Sequence, residues 1–415
     1  MSSTSFAPVP SLFRSTLRLA CAGLLASPAL AQEEPESFLD QSTLSGDWGG
    51  LRSSLEERGI SLEGALITHT SRALEGGLEE RDVTRYLFDL ALTFDLATLA
   101  GLEGATLGFD LYKTDGHNGG DDVGALQGIS NIDSIDRSQI AEAWYEQLLL
   151  DESLRLKLGK VDVNSEFAYA DFGGEFTNPS AGISPTIGGA PTYPDPAFSV
   201  NLFYNHASGL SLGLGVYDGA TLVGDFTGPR GPSTFFGEPS DLFLIGELGA
   251  RWTLGDDQRA GRVGLGAWRH TGDFAEFSGG VSEGTGGFYL VLDQELWRAH
   301  PEQADDTRGW GGYLMLGQAD DAVSEIESHV GLGVVRSGAL EACPDDVYGL
   351  GCNWVGLSSG AGFSADQELN VELFYKHQLF GWCCLKPDVQ YILNPGGDED
   401  ADDAWVAAVR LEFGI

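Results

Sequence analysis

Basic residues are scarce in this sequence. Its 415 residues hold 23 Lys and Arg against 62 Asp and Glu, which gives a formal net charge of −39 at pH 7. A nucleic-acid partner is excluded, because displacing the counterions of a phosphate backbone requires a basic protein surface. Long apolar runs are absent as well, since no stretch approaches the roughly 20 consecutive apolar residues of a membrane-spanning helix.

The sequence does contain 42% apolar residues and 58 glycines, with a mean hydropathy of −0.08. The apolar content is too high for a disordered chain, and glycine is roughly twice as frequent as its ~7% average in proteins. Two classes of protein remain. One is a large secreted soluble protein rich in β-strands, and the other is a β-barrel whose apolar residues alternate with polar ones.

The first residues of the chain have the features of a secretory signal peptide. Arg14 and Arg18 precede an apolar run over residues 19–30, and Ala29-Leu30-Ala31 supplies small residues at a cleavage site. A positive region, a short apolar region and an Ala-x-Ala site predict export with cleavage after Ala31. The leader contains two arginines and no acid, so the mature chain is more acidic still.

Cysteine is rare, with five in the chain, and four remain after the predicted cleavage: Cys343, Cys352, Cys383 and Cys384. An exported protein meets oxidising conditions, in which disulfides form. A bond between Cys343 and Cys352 would close a short loop, but four cysteines allow three pairings and the sequence leaves the pairing open. No zinc-ligand spacing that includes histidine is present, so a metal cluster is the less favoured interpretation.

Apolar and polar residues alternate with a period of two in many segments. Along residues 85–96, Tyr86 and Phe88 fall on one face. Arg85 and Asp89 fall on the other. Because successive side chains of a strand point to opposite sides of the sheet, this segment is predicted to be a strand with one apolar face. The same pattern recurs in residues 154–158, 210–217, 368–376 and 405–415.

Strand length distinguishes a membrane barrel from a soluble sandwich. The alternating segments run to about ten residues or more, as a tilted strand needs to cross a bilayer, whereas strands of soluble proteins average ~5–6. Their polar faces carry glycine, serine and charges of both signs, which is typical of a water-filled lumen. About sixteen segments are present, two of them weak, around Tyr313 and Val355, and this number suits a porin. The sequence therefore predicts an all-β fold, a 16-stranded antiparallel transmembrane β-barrel of the outer-membrane porin type.

One segment before the barrel breaks the alternation. Trp48, Leu51 and Leu55 lie on one stripe of residues 45–59, and Gly59 can end a helix. We interpret this segment as a short N-terminal periplasmic helix at the foot of the barrel. The predicted organisation is a signal peptide over residues 1–31, an N-terminal segment with this helix over 32–60 and a barrel over 61–415.

Several motifs resemble those of the OprB-type carbohydrate-selective porins. The N-terminal motif is Leu44-Ser-Gly-Asp-Trp-Gly-Gly-Leu-Arg52. Further matches are AWYEQ at 143–147, LGKVD at 158–162, GVYD at 215–218, LGAWRHT at 265–271, PDVQYI at 387–392 and NPGG at 394–397. The resemblance implies an outer-membrane barrel with short periplasmic turns, longer outer loops and passive diffusion of sugars. It also implies that the third outer loop, about residues 164–198, folds into the lumen, with Glu166, Phe167, Tyr169, Asp171 and Tyr193.

Charged and aromatic residues on the polar strand faces are candidates for the lining of this lumen. A sugar presents many hydroxyl groups for donors and acceptors, and weakly apolar ring faces for aromatic side chains. A register slip of one residue would turn each strand residue to the other side, and lumen charges often only solvate the wall. The candidate pathway residues are Arg85, Asp89, Glu142, Trp144, Arg155, Lys157, Glu166, Phe167, Trp268, His270 and Lys386.

Enzyme and metal motifs are incomplete. Gly356-Leu-Ser-Ser-Gly360 fits G-x-S-x-G, but no helix-like segment follows it, as a nucleophile elbow requires. Asp398, Asp400 and Asp402 match the start of an EF-hand loop, yet Asp403 stands where that loop requires glycine. We expect no catalysis and no cofactor, apart from surface Ca²⁺ or Mg²⁺ that could bridge the acidic loops to lipopolysaccharide.

The predicted function is an outer-membrane channel of a Gram-negative bacterium for passive, carbohydrate-selective diffusion of mono- and small oligosaccharides into the periplasm. One alternative is a general cation-preferring porin without sugar selectivity, and another is a secreted soluble β-rich binding protein. The expected partners are small sugars, outer-membrane lipids and lipopolysaccharide, and the barrel-assembly machinery during biogenesis. The preferred sugar and the choice between monomer and trimer stay open.

Overall fold

The computed structural model describes residues 37–220, 231–237, 240–303, 306–339, 341 and 343–415. The predicted signal peptide lies outside the described residues. Among them, no helix has the length and apolar character to cross a membrane. The described strands are β1 (Ile60–Glu75), β2 (Val83–Asp95), β3 (Ala105–Gly116), β4 (Arg137–Leu149), β5 (Leu154–Val161), β6 (Ala197–Asn205), β7 (Leu210–Asp218), β8 (Leu242–Leu254), β9 (Arg259–Glu276), β10 (Gly280–Arg298), β11 (Gly309–Ala319), β12 (Ile326–Ser337), β13 (Val347–Leu357), β14 (Gln367–Phe380), β15 (Cys383–Leu393) and β16 (Ala404–Gly414). The described α-helices are short: α1 (Leu51–Glu56), α2 (Leu96–Ala100), α3 (Gly119–Val123), α4 (Val163–Glu166) and α5 (Pro179–Gly182).

The sixteen strands of the described residues form one closed antiparallel barrel. Each strand pairs with its neighbours in sequence, and β16 returns to pair with β1, where Thr68 lies opposite Leu411. Closure pairs the backbone of every strand with a neighbour, which a membrane interior demands because it offers no water. The predicted fold is confirmed, and the two weak segments are β11 and β13.

The apolar side chains of the strands face outward. Leu248, Leu265 and Leu373 remain 60%, 56% and 56% exposed, whereas Leu87 on the lumen side is 1% exposed. A soluble protein would bury such an apolar surface against a second layer, whereas a bilayer supplies hydrocarbon to cover it. The exposed apolar surface therefore argues against the soluble alternative.

The connections differ in length at the two ends of the barrel. One end carries loop L2 (residues 117–136, between β3 and β4) and loop L3 (residues 162–196, between β5 and β6). The other end carries short turns, such as residues 150–153 and 206–209, together with α1. Outer-membrane barrels have long extracellular loops and short periplasmic turns, so L2 and L3 mark the extracellular end. L3 begins two residues before the expected range of 164–198.

An aromatic row marks the periplasmic edge of the outer surface. The strand register places Trp297, Trp310, Arg336, Tyr348 and Tyr375 next to one another on the consecutive strands β10 to β14. The Arg336 guanidinium lies 4.6 Å from the centre of the Trp297 ring. Aromatic girdles lie at the membrane–water interface, so this row shows the height at which the barrel leaves the membrane.

The N-terminal helix is shorter than the predicted segment 45–59. Trp48 and Gly50 have φ angles of 51° and 91°, which a right-handed helix does not accommodate, so α1 begins only after them. Arg52 of α1 donates to the backbone oxygen of Ile415 at 3.0 Å. This contact ties the helix to the end of β16 at the periplasmic foot of the barrel.

The four cysteines that the structure describes are free thiols. The Cys343–Cys352 bond that the spacing allowed is therefore not formed. Cys352 lies on the outward face of β13, and Cys384 lies on the lumen side of β15, where its Sγ donates to Glu412 at 3.2 Å. The side chains of strand cysteines thus point to opposite surfaces of the barrel.

Candidate functional site

Loop L3 folds into the lumen and is held there by carboxylates of the barrel wall. A buried carboxylate must be satisfied by donors, because water is excluded from its surroundings. Here the donors are backbone N–H groups of the loop, so several wall acids anchor L3. The N–H of Asp162 donates to Glu142 at 2.8 Å, that of Ala168 to Glu247 at 3.1 Å, that of Phe172 to Asp293 at 3.0 Å, and those of Thr177 and Asn178 to Glu372 at 2.7 and 2.8 Å.

Lumen-facing glycines make room for the aromatic residues of L3. Phe176 packs edge-on against Phe374 of β14, with ring centres 5.1 Å apart. A Cβ atom on Gly351 would lie 2.6 Å from the Phe176 ring, and one on Gly311 would lie 2.0 Å from the Phe172 ring. No side chain fits at these distances. Part of the high glycine content is therefore explained by the space that the aromatic rings of L3 need against the barrel wall.

Glu166 of L3 meets two cations of β5. Glu166 is bound by Arg155 at 2.6 Å and by Lys157 at 2.8 Å, and its side chain is 2% exposed. Burial alone would raise the pKa of Glu166, but the charges of Lys157 and Arg155 outweigh that effect and hold the pKa at about 2. Each cation also covers an aromatic ring, since Lys157 lies 4.1 Å from the centre of Trp144 and Arg155 lies 3.9 Å from that of Phe203.

Asp171 of L3 lies beside Arg262 on the lumen side of β9. Its carboxylate is 3.6 Å from the Arg262 guanidinium, and its side chain is 39% exposed against 8% for Arg262. Arg262 also lies 3.7 Å from Asp293 and 3.9 Å from Glu247, with the Tyr169 ring centre 3.9 Å away. Arg262 therefore joins the tip of L3 to two strands, while Asp171 remains exposed to the solvent of the lumen.

Glu175 of L3 lies close to the last strands of the chain. Its carboxylate lies 3.6 Å from Lys376, which in turn lies 3.5 Å from Glu412. The Lys386 ammonium donates to the backbone oxygen of Glu175 and covers the Phe374 ring at 4.3 Å. Charged hydrogen-bond donors and acceptors thus lie beside an aromatic ring at this contact as well.

Glu166, Asp171 and Glu175 together form a row of charged contacts between L3 and the wall, of which Asp171 is the one exposed to the lumen. Each is matched with cations from a different part of the wall, so opposite charges face each other at each step. A sugar hydroxyl both donates and accepts hydrogen bonds, and such pairs offer both partners. A bare ion is stabilised less at these pairs than a sugar is, because each charge of the wall is already compensated by its neighbour.

Loops cover several of the predicted pathway residues, although all of these strand residues lie on the lumen side. Arg85 is 2% exposed and donates to the backbone oxygen of Ile132 in L2 at 2.9 Å. Trp268 is 4% exposed and stacks on an aromatic residue of β8. His270 is fully buried, with Nε2 hydrogen-bonded to the connection after β7. These side chains hold loops against the wall instead of meeting the open lumen.

Three of the remaining predicted residues, Glu142, Trp144 and Phe167, lie close to the base of L3. Glu142 accepts a hydrogen bond from the Trp144 indole at 2.9 Å, and Trp144 itself is half-buried. Asp89 is buried on β2. Phe167 is 1% exposed and packs on Phe203 at 5.2 Å, so it belongs to the packing of the loop. Contact between these residues and a sugar stays a prediction.

Sequence reasoning missed Glu175, Arg262 and Lys376. Arg262 could have been found, because it shares strand parity with Trp268 and His270. Lys376 alternates with apolar residues in a segment already predicted to be a strand. Glu175 carries no periodic signal, and only the path of L3 brings it to the wall.

Comparisons with known proteins show the family of the chain and agree with its barrel fold. The family model "Carbohydrate-selective porin, OprB family" matches residues 81–414. "Putative porin QuiX" of Acinetobacter baylyi is 25% identical over 439 residues, which cover 90% of this chain and 94% of that protein. "Porin B" of Pseudomonas aeruginosa is 25% identical over 443 residues, covering 92% and 93%. The structure of Pseudomonas putida OprB at high pH matches with a TM-score of 0.78 and 20% identity, covering 92% of this chain and all of that one, which shows the shared fold.

Proposed function

Because the chain belongs to the OprB family of carbohydrate-selective porins, we propose that its sugar filter lies where Glu166, Asp171 and Glu175 of L3 meet the cations of the wall. The chain is an outer-membrane sugar channel of a Gram-negative bacterium, and its family indicates a channel, not an enzyme. The filter, its residues and its mode of selection are the proposal.

The matched charges along L3 are the observation that carries this proposal. Three acids separated by a few residues face Arg155, Arg262 and Lys376, which come from β5, β9 and β14. A filter built in this way presents donors and acceptors around the path of a solute. A sugar exchanges its hydrogen bonds with water for bonds to these groups as it passes, so the barrier to its passage stays low.

Aromatic rings beneath the cations support the same proposal. Lys157 and Arg155 rest on Trp144 and Phe203, and Arg262 rests on Tyr169. Cation–π contacts of this kind fix the orientation of long side chains. Ordering a freely rotating side chain costs entropy when a ligand binds to it, which lowers the affinity for that ligand. Fixed donors select for the spacing of sugar hydroxyls better than mobile ones.

The exposed residue Asp171 provides the sharpest test. We expect Asp171→Asn to weaken the block of ion current by maltose or glucose in a planar bilayer by about threefold to tenfold, as expected for one charge-assisted hydrogen bond. Asp321→Asn is a matched control, because Asp321 is an exposed acid in the connection between β11 and β12. In that variant, sugars should block the ion current as strongly as in the unmodified protein.

Two outcomes would decide against this filter. If sugars leave the current of the unmodified protein unchanged, the channel is a general cation-preferring porin. If Asp171→Asn and Asp321→Asn change the block equally, the effect comes from overall charge, and the row of charged contacts along L3 is not the filter. Liposome swelling with sugars and with size-matched zwitterions measures the same selectivity without an electric field.

We further propose that passage is passive and needs neither catalysis nor a cofactor. The outward apolar surface and the aromatic row at its periplasmic edge fit outer-membrane lipids, with lipopolysaccharide at the extracellular end. The barrel-assembly machinery is the expected partner during biogenesis. Bridging of the acidic loops to lipopolysaccharide by Ca²⁺ or Mg²⁺ remains a prediction, which the stability of the protein in the presence of a chelator would test.

A further inference from the structure

Three side chains of metal-ligating type gather on the outer side of the periplasmic rim, away from the lumen. Cys343 and Asp346 lie between β12 and β13, and His377 lies on the outward face of β14. One ligand atom of each lies within 4.8 Å of the other two. We propose that Cys343, Asp346 and His377 form a binding site for a borderline divalent metal ion of the Zn²⁺ class.

The carboxylate of the cluster is already held in place. Asp346 is 4% exposed, and its oxygens accept hydrogen bonds from His377 Nδ1 at 2.9 and 3.0 Å and from the backbone N–H of Gln378 at 3.1 Å. The Tyr375 hydroxyl donates to the same carboxylate. A metal ion would take the place of the imidazole proton between His377 and Asp346, so the two ligands need only a small change of position.

The spacing of the three groups suits a tetrahedral ion. Zinc–ligand bonds of about 2.0 to 2.3 Å place neighbouring ligand atoms of a tetrahedron roughly 3.3 to 3.7 Å apart. The imidazole–carboxylate distance is slightly shorter than that, and the thiol lies within the 4.8 Å limit of the cluster. Three protein ligands leave the fourth position to water, the composition of an open site.

The donor set indicates the type of metal. A thiolate, an imidazole and a carboxylate favour Zn²⁺ and similar ions over Ca²⁺ and Mg²⁺, which prefer oxygen ligands alone. Bound metal would link the segment before β13 to β14, next to the aromatic row to which Tyr375 belongs. The site is therefore separate from the sugar filter.

Binding of Co²⁺ to the full-length reduced protein in detergent tests the site, because cobalt thiolates absorb by ligand-to-metal charge transfer. We expect one equivalent of Co²⁺ to bind with this absorption and to be displaced by Zn²⁺. Cys343→Ser and His377→Ala should each weaken binding on the order of 10²-fold or more, since even second-shell changes cost 10- to 100-fold.

Matched controls separate this site from nonspecific binding. Cys352→Ser removes a thiol from the outward face of β13, and His206→Ala removes an exposed imidazole from a periplasmic turn. Both should bind Co²⁺ like the unmodified protein. Heat-modifiable migration reports whether each variant folds, and His377→Gln replaces His377→Ala if the latter does not.

Three results would overturn the proposal. They are Co²⁺ binding without thiolate absorption, unchanged affinity in Cys343→Ser, and a Cys343 thiol that cannot be titrated in the native protein because it is oxidised. Loss of binding in Cys352→Ser would be a fourth such result, because it would point to a different thiol site. Sugar block should not respond to Zn²⁺, so the sugar filter and the metal site can fail independently.

Discussion

Replacing Glu166 by glutamine should release the start of L3 from the barrel wall. Lys157, whose side chain is 3% exposed, would keep its charge in a buried position without the carboxylate that binds it at 2.8 Å. Arg155 would retain Glu146 at 2.9 Å. Removing one partner of a buried ion pair costs about 3–5 kcal/mol. Since a tenfold change in population corresponds to about 1.4 kcal/mol, the detached form of L3 should become about 10²-fold to about 4 × 10³-fold more populated.

Single-channel recording in a planar bilayer is the assay for this change. Glu166→Gln should show larger or noisier open-channel currents and a weaker sugar block, because the loop that narrows the lumen is less firmly attached. The double variant Glu166→Gln with Lys157→Met should recover most of the original behaviour, since an apolar side chain removes the uncompensated charge. Asp321→Asn is again the control, because Asp321 is an exposed acid in the connection between β11 and β12.

The reasoning would be refuted by two results. One is a Glu166→Gln channel that matches the unmodified protein in conductance, noise and sugar block. The other is a double variant that is more disturbed than Glu166→Gln alone, because the ion pair would then not be the source of the effect.

Two further predictions concern the same loop. The pKa of Glu166 is held at about 2, below its ordinary value of 4.5, so its contribution to loop attachment is complete above about pH 4.5 and is lost only as the pH falls through about 2. Sugar block should therefore not depend on Glu166 between about pH 5 and pH 8, and a pH-dependent block in this range that Glu166→Gln abolishes would contradict the assignment. Gly311→Ala should force the Phe172 ring away from β11 at a cost of about 1–3 kcal/mol and alter the conductance, whereas Gly182→Ala, where nothing lies within 4 Å of the new Cβ, should leave it unchanged.

Strand residues could be assigned to a surface from the sequence, because their side chains alternate strictly. Arg155 and Lys157 were placed on the lumen side from the apolar residues between them, and Trp144 was expected to share the face of Glu142. The same reasoning failed to show that Arg85 and His270 are covered. Cover depends on L2 and on the connection after β7, whose paths are not periodic in sequence.

For a related reason, the sequence could not show which charged residues form pairs. Glu175 and Lys376 are 3.6 Å apart in the structure but separated by much of the chain. Nothing in either local segment indicates the other. The cluster of Cys343, Asp346 and His377 was likewise hidden, because it requires two neighbouring strands and their connection to meet at one rim.

The role of the few basic residues follows from the sequence and the tertiary structure together. The sequence by itself determined a barrel with a polar interior and an apolar exterior, because a period of two fixes the face of each strand residue wherever it lies. Only the tertiary structure decided which of the few cations carry the loop and which acids anchor it. That choice depends on the closure of the barrel and on the route of L3 across it, which bring together residues far apart in the chain.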